Sequence, residues 1–313
     1  MTSEIQRKDI CFKSSNGVSI VSGAIYTHSM VPPKAIVQIS HGMCEHVERY
    51  HEFISFLAAN GYAVAAHDHL GHGKTAGSPD NYGFFAEENG AKCVLQDLQQ
   101  MNTIVHQQFP HLPVFLLGHS MGSFFARLFC AVYPKNIAGL LLSGTAGPTA
   151  GVDAGILLTE FLCKTKGPRY VSVAVNKIAF GKYLSKIKNP KTPYDWISRD
   201  ERIIADYQKD PACTFSFTVS AFHEMFRVLR AVSSKQWAEK IPASMPVFLF
   251  SGDADPVGNY GKGVIEVEKM LKEAGLKDVE LVLYANGRHE MLNELNRTKV
   301  YRDVLDWLNQ HCS

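Results

Sequence analysis

The sequence has no surplus of charge: 32 basic and 30 acidic side chains leave +2. Nothing therefore points to a nucleic-acid partner, which asks for a strongly basic face. The seven cysteines, Cys11, Cys44, Cys93, Cys130, Cys163, Cys213 and Cys312, are odd in number and form no CxxC pair. That argues against a disulfide framework or a zinc site and for a reducing compartment. No apolar run approaches the roughly 18 residues of a membrane span. The opening MTSEIQRKDI lacks the apolar stretch of a signal peptide. A cytoplasmic location is expected. Internal repeats and low-complexity tracts are also missing. What is present is apolar: 46% of the 313 residues are hydrophobic and 20% charged. That suits a folded chain with a sizeable core, as one large domain with an insertion or as two domains.

Short apolar runs alternate with helical patterns in the first half. Val18–Val21 and Ala24–Tyr26 read as an opening hairpin around Ser22-Gly23. Ala35–Ile39, Tyr62–Ala66, Val114–Leu117 and Ile137–Leu142 read as buried strands. Helical stripes lie between them: Phe53, Phe56 and Leu57, then Val94, Leu95, Leu98, Met101 and Ile104, then Phe124, Phe125, Leu128 and Phe129. Such alternation predicts a mostly parallel sheet covered on both faces by helices, an α/β class. The rhythm stops at Pro148 and resumes with Pro246–Phe250, a helix around Val264–Leu271, Val279–Leu283 and a last helix through Val300, Val304 and Trp307. The chain is therefore expected to have a core of residues 1–147 and 241–313, with 148–240 inserted as a helical cap. In that insertion Ile156, Leu157, Phe161 and Leu162 suit one helix, and Phe222, Phe226 and Leu229 another.

The chemistry centres on Leu116–Phe124, LLGHSMGSF. Ser120 fits G-x-S-x-G after a predicted strand and before a predicted helix, the setting of a nucleophile elbow. The glycines let strand and helix pass a strained turn, and the helix N-terminus adds partial positive charge. A serine needs a base. In this architecture the chain order is Ser, acid, His. Downstream of the resumed sheet stand His289 and His311. His311 is close to the C-terminus and reads as solvated. His289 follows a strand and its loop, at the carboxyl edge of the sheet where open α/β sheets bind ligands. His289 is the expected base. FLFSGDADP offers Asp255 and Asp253 as the acid, with Pro256 fixing the turn in favour of Asp255. The oxyanion hole is expected from the backbone N–H groups of Met121 and Met43. His41 and His46 read as hydrogen-bonded loop histidines.

HGMCEH, DHLGHGKT, GHSMG, GDADP and GRHEMLNE occur in this order across the whole core. Together they resemble the monoacylglycerol lipase and lysophospholipase-like branch of the α/β-hydrolases, often labelled serine aminopeptidase-like. WISRDERIIADYQKDPACTF is similar to the cap of bacterial members. The resemblance implies an α/β-hydrolase fold. It puts the acid, the last residue of G-x-x-D, on Asp255 and the histidine on His289. It also implies hydrolysis of a monoacylglycerol, a lysophospholipid or a short-chain ester through an acyl-enzyme. Cys44 departs from the pattern, since relatives usually carry Gly or Ala there.

Other features have a plain and a sharper reading. The string His67-Asp68-His69-Leu70-Gly71-His72 suggests a metal, but lacks H-x-H-x-D-H order. Asp68 is expected to tie down its turn instead. No cofactor or metal is called for by the chemistry. Cys44 reads as buried filler; the sharper expectation is that maleimides or mercurials inhibit and Cys44→Ala resists. From Phe161 through Tyr194 there is no Asp or Glu, but there are Lys164, Lys166, Arg169, Lys177, Lys182, Lys186, Lys188 and Lys191. A solvated face is the default, and transient contact with an anionic lipid surface the alternative. Phe215, Phe217, Phe222, Met225 and Phe226 are cap core or an acyl pocket. An aminopeptidase on the same scaffold, using Glu160 or Glu224 to hold an amine, is the competing activity. A non-catalytic lipid-binding protein is the other.

Overall fold

The buried apolar runs become the strands of one eight-stranded sheet. In the computed structural model, residues 4–312 are described, so the first three residues of the amino-terminal stretch lie outside it. The strands are β1 (Ile5–Lys13), β2 (Ile20–His28), β3 (Ala35–Ser40), β4 (Tyr62–His67), β5 (Val114–His119), β6 (Gly139–Ser143), β7 (Val247–Gly252) and β8 (Val279–Tyr284). Their order is β1-β2-β4-β3-β5-β6-β7-β8. The pairs β1·β2 and β2·β4 are antiparallel, and every later pair is parallel.

Alternation along each buried strand divides the core in two. Leu116, Leu140, Leu142 and Leu249 face α2 (Gly90–Gln108), α3 (Met121–Val132) and α8 (Lys262–Glu273). Phe115, Leu117, Leu141 and Phe250 face α1 (His51–Ala59) and α9 (Arg297–Gln310). Each such side chain contributes about 1.5–3 kcal/mol on burial. The order of strands reverses between β3 and β5, because β4 lies on one side of β3 and β5 on the other. That switch point opens a crevice at the carboxyl ends of the strands. The loops after β3, β5, β7 and β8 all emerge on this edge.

The opening hairpin is not where Ser22-Gly23 suggested. β2 runs straight through both residues, and its hairpin partner is β1, across the turn Ser14–Ser19. Gly23 is there for close approach: a Cβ would come within 2.5 Å of the Ala66 carbonyl oxygen of β4.

Between β6 and β7 the chain leaves the sheet for four helices, α4 (Val152–Lys166), α5 (Val173–Phe180), α6 (Glu201–Lys209) and α7 (Val219–Ala231). Phe217 and Phe222 are fully buried and belong to the same apolar cluster as α2 and α3. They pack the insertion onto the core.

Candidate active site

Ser120 joins β5 directly to α3, with φ 52° and ψ −122°. A non-glycine residue there stores roughly 1–3 kcal/mol of strain, which only close packing sustains. Gly118 and Gly122 allow that packing. A Cβ on Gly118 would sit 2.5 Å from the Gly122 carbonyl oxygen, and one on Gly122 would fall on the Ser40 and His41 carbonyls. The Ser120 N–H donates to the Ser143 carbonyl at 2.9 Å, which pins the turn to β6. Met121 is the first residue of α3, so its N–H has no acceptor four residues back. The loop after β3 passes beside it: a Cβ built on Gly42 would lie 3.1 Å from Ser120 Cβ. The next N–H, of Met43, donates to no acceptor among the described residues.

Asp255 follows β7 in a tight turn. Its Oδ1 accepts the Val257 N–H at 2.9 Å, and its Oδ2 meets His289 Nδ1 at 3.0 Å. Both side chains are buried. Asp253, the other candidate, instead accepts the Asn286 N–H at 2.6 Å on the exposed side of the loop. The His289 ring lies against His119, the residue before Ser120, with centroids 4.7 Å apart, and against Trp196 at 5.1 Å, tilted to both. The His289 backbone N–H donates to the Trp196 carbonyl. The Ser120 hydroxyl and the imidazole are not hydrogen-bonded to each other among the described residues. Such contacts are often long before substrate binds. Burial alone would push His289 down, but Asp255, Glu290 and Glu45 outweigh it and hold the imidazole above its ordinary value. Burial drives His119 the other way, down to about 3.

A strained serine turn between strand and helix and a buried Asp–His pair at one sheet edge are parts of a serine hydrolase. The family model described as serine aminopeptidase, S33, matches residues 31–296. The chain belongs to that family. It is 28% identical over 305 residues to a monoacylglycerol lipase of Mycolicibacterium smegmatis, covering 97% of this chain and 98% of the relative. It is 27% identical over 291 residues to the human monoglyceride lipase, covering 89% of this chain and 83% of the relative. Among solved structures, a thermostable carboxyl esterase from Bacillus coagulans in complex with glycerol has TM-score 0.93 and 33% identity, covering 98% of this chain and 99% of that one. The fold is that of an α/β-hydrolase, and the S33 chain is a carboxylic-ester hydrolase of the serine type.

This S33 hydrolase also has a buried ion cluster that the motifs did not announce. Arg49 grips Glu290 with two bonds, 2.6 and 2.7 Å, and reaches Glu45 at 3.3 Å. Glu45 accepts the Tyr50 hydroxyl at 2.8 Å and the Gly42 N–H. One arginine thus ties the loop carrying Met43 to the residue after His289. Burial and the nearby Glu290 push the Glu45 carboxyl up to about 7. Arg49 holds Glu290 below its ordinary value against its own burial. The signal was present as Glu45 and Arg49 four apart and as the run Arg288-His289-Glu290, but neither spacing names a partner. Arg49→Met strands two carboxylates and should cost about 3–5 kcal/mol of stability. Urea unfolding checks it; a loss under 1 kcal/mol would mean the cluster is already wet.

The other candidates resolve individually. His311 is not solvated: its ring bonds Asp278 Oδ2 at 2.9 Å and the Trp307 carbonyl, at the opposite edge of the sheet. His41 Nδ1 meets the Gly42 carbonyl in its own loop, and its Nε2 accepts the His69 N–H from the loop after β4. His67 and His69 meet edge-on, and His72 lies edge-on to His41 instead, so the three do not converge on one point. His69 Nε2 faces Ser40 Oγ, while His72 Nδ1 faces the Leu70 carbonyl. Asp68 ties its turn by accepting the N–H groups of Val47 and Lys74. Cys44 has φ 55°, and its thiol donates to the Phe215 carbonyl. Burial, then Glu45, pushes that thiol up.

Proposed function

We propose that Ser120 is the nucleophile, His289 the base and Asp255 its orienting acid, with the Met43 and Met121 N–H groups as the oxyanion hole. The observation that carries this is the 3.0 Å Asp255–His289 bond beside the left-handed turn at Ser120. His289 Nε2 takes the Ser120 hydroxyl proton as Oγ attacks the ester carbonyl. Asp255 accepts from Nδ1–H and steadies the imidazolium. The tetrahedral oxyanion sits on the two N–H groups, each worth about 3–4 kcal/mol to the transition state. His289 then gives its proton to the leaving alcohol and activates water against the acyl-enzyme.

The substrate proposed is a monoacylglycerol, a lysophospholipid or a short-chain ester. Support comes from the monoacylglycerol lipase and monoglyceride lipase among the relatives. Aminopeptidase activity is the weaker reading. Glu160 lies on the exposed surface paired with Lys164 at 2.6 Å, and Glu224 accepts the Ala91 N–H at 3.2 Å, so each already has a partner. A p-nitrophenyl acyl chain-length series, run beside monoacylglycerols, lysophospholipids and aminoacyl-anilides, tests the reading. Turnover of the esters alone is expected; faster cleavage of anilides would reverse it.

Residues 148–240 are proposed to act as a cap on the core formed by 1–147 and 241–313. No described helix is long and apolar enough to cross a membrane. Leu157, Phe161, Val173 and Ile178 of the cap are exposed, Val173 at 82%, within or beside the acid-free lysine block. Transient docking of this surface on anionic lipid follows. Co-sedimentation with phosphatidylserine-rich vesicles should exceed that with neutral ones and fall with salt; equal binding to both would remove the proposal. All cysteines among the described residues are unpaired, which supports a reducing location, the cytoplasm.

A further inference from the structure

Away from the serine, a core loop meets the cap in a cluster the ester chemistry does not use. His46 lies three residues after Met43. Asp210 and Cys213 lie on the connection between α6 and α7. One ligand atom from each of the three side chains falls within 4.8 Å of the others. His46 Nε2 and Asp210 Oδ2 are 2.7 Å apart. Asp210-Pro-Ala-Cys213 spaces its two ligands as a C-x-x-C knuckle does, and the turn is built: Asp210 Oδ1 accepts the Ala212 N–H at 2.8 Å and the Asp210 carbonyl accepts the Cys213 N–H at 3.0 Å. That fixes Oδ1 and leaves Oδ2 to point at the cluster. A cavity of about 450 Å³ opens beside His46 and Asp210. Its wall includes the carboxylates of Asp68 and Glu48, with Lys74 held 3.7 Å from Glu48.

We propose that His46, Asp210 and Cys213 bind a tetrahedral divalent transition ion, with Zn²⁺ as the best fit. Nitrogen, oxygen and sulfur in one set suit this ion better than Mg²⁺ or Ca²⁺, which take oxygen alone. Bonds of about 2.0–2.1 Å to nitrogen and oxygen would part His46 and Asp210 to about 3.3 Å. Both side chains are partly exposed and can yield that small distance. The cavity supplies water for the fourth position. On binding, the Cys213 S–H proton leaves to solvent and a metal–sulfur bond forms. His46 binds through Nε2, so any proton on Nε2 is given up to Nδ1 or to solvent. One thiolate and one carboxylate then balance the two positive charges. The site was invisible to sequence reading because His46 stands far along the chain from the Asp210–Cys213 pair. An ion there joins the loop that carries Met43 to the cap, so occupancy stiffens the junction without entering the reaction.

Titration of metal-free protein with Co²⁺, followed by Zn²⁺, tests this. The expected result is a cobalt–thiolate charge-transfer band at one equivalent, erased by Zn²⁺ and absent in Cys213→Ser and in His46→Gln. Zn²⁺ should raise the thermal midpoint of the native protein and leave Cys213→Ser unmoved. His46→Gln keeps the thiol and decides the matter should Cys213→Ser fail to fold. No band, or a band of equal strength in either variant, overturns the site and reduces any Zn²⁺ uptake to adventitious binding.

Discussion

Ser120→Ala is expected to lower ester turnover on the order of 10⁶-fold, to the rate left by the oxyanion hole and binding alone. The variant should fold, because alanine is smaller than serine and meets the same left-handed turn at a similar strain. Circular dichroism and the thermal midpoint would verify that. A fluorophosphonate should label the native protein and not the variant. Asp255→Asn sets the wrong imidazole tautomer and is expected to cost about 10⁴-fold. Asp253→Asn is the control: Asp253 bonds a loop N–H and not the imidazole, so turnover should stay within a few-fold of native. Labelling that survives in Ser120→Ala, or equal loss in the two aspartate variants, would overthrow the assignment.

What could be read from the chain followed burial. β3, β5 and β7 are covered on both faces, so their apolar runs are continuous and plain. β1 was missed because Gln6, Arg7, Lys8 and Asp9 are all exposed and show no alternation. Without that strand, Gly23 looked like a turn. α5 and α6 were missed for a related reason: α5 buries only Val175, and α6 only Ile204 and Tyr207, too few for a stripe. At the candidate site, the turn at Ser120 was legible because glycine spacing records a backbone constraint. Asp255 is favoured over Asp253 by the turn at Pro256, but spacing alone leaves Asp253 in play, since the choice depends on where an imidazole from another loop arrives. The Glu45–Arg49–Glu290 cluster was hidden for the same reason. Each member is an ordinary surface residue until long-range packing buries it.

Acid should unfold this protein earlier than its near-neutral charge suggests. Five histidines are buried and held below the ordinary imidazole value. His67 and His72 are pushed down to about 4 and His119 to about 3, chiefly by burial. His41 and His69 are driven well below by burial and then by neighbouring histidines. Their unfolded forms take up protons near pH 6.5, while the folded forms refuse them. Stability from these groups is therefore complete above pH 6.5 and is lost as pH falls toward 4. At pH 4, His67 and His72 alone cost about 3 kcal/mol each, on the scale of a whole domain's 5–15 kcal/mol. His289, Glu45, Asp68 and Asp97 run the other way, since all four are raised in the folded state and favour it as pH falls, but Glu48, Asp195, Asp200, Asp210 and Glu290 are held low and join the histidines. The thermal midpoint should thus drop steeply between pH 6.5 and 4. His67 gives the sharpest test, because neither ring nitrogen has a hydrogen-bond partner among the described residues. His67→Leu removes one proton-uptake site without breaking a bond, so its acid transition should move to lower pH. A midpoint flat from pH 6.5 to 4, or a His67→Leu transition at the native pH, would mean these rings are hydrated in solution.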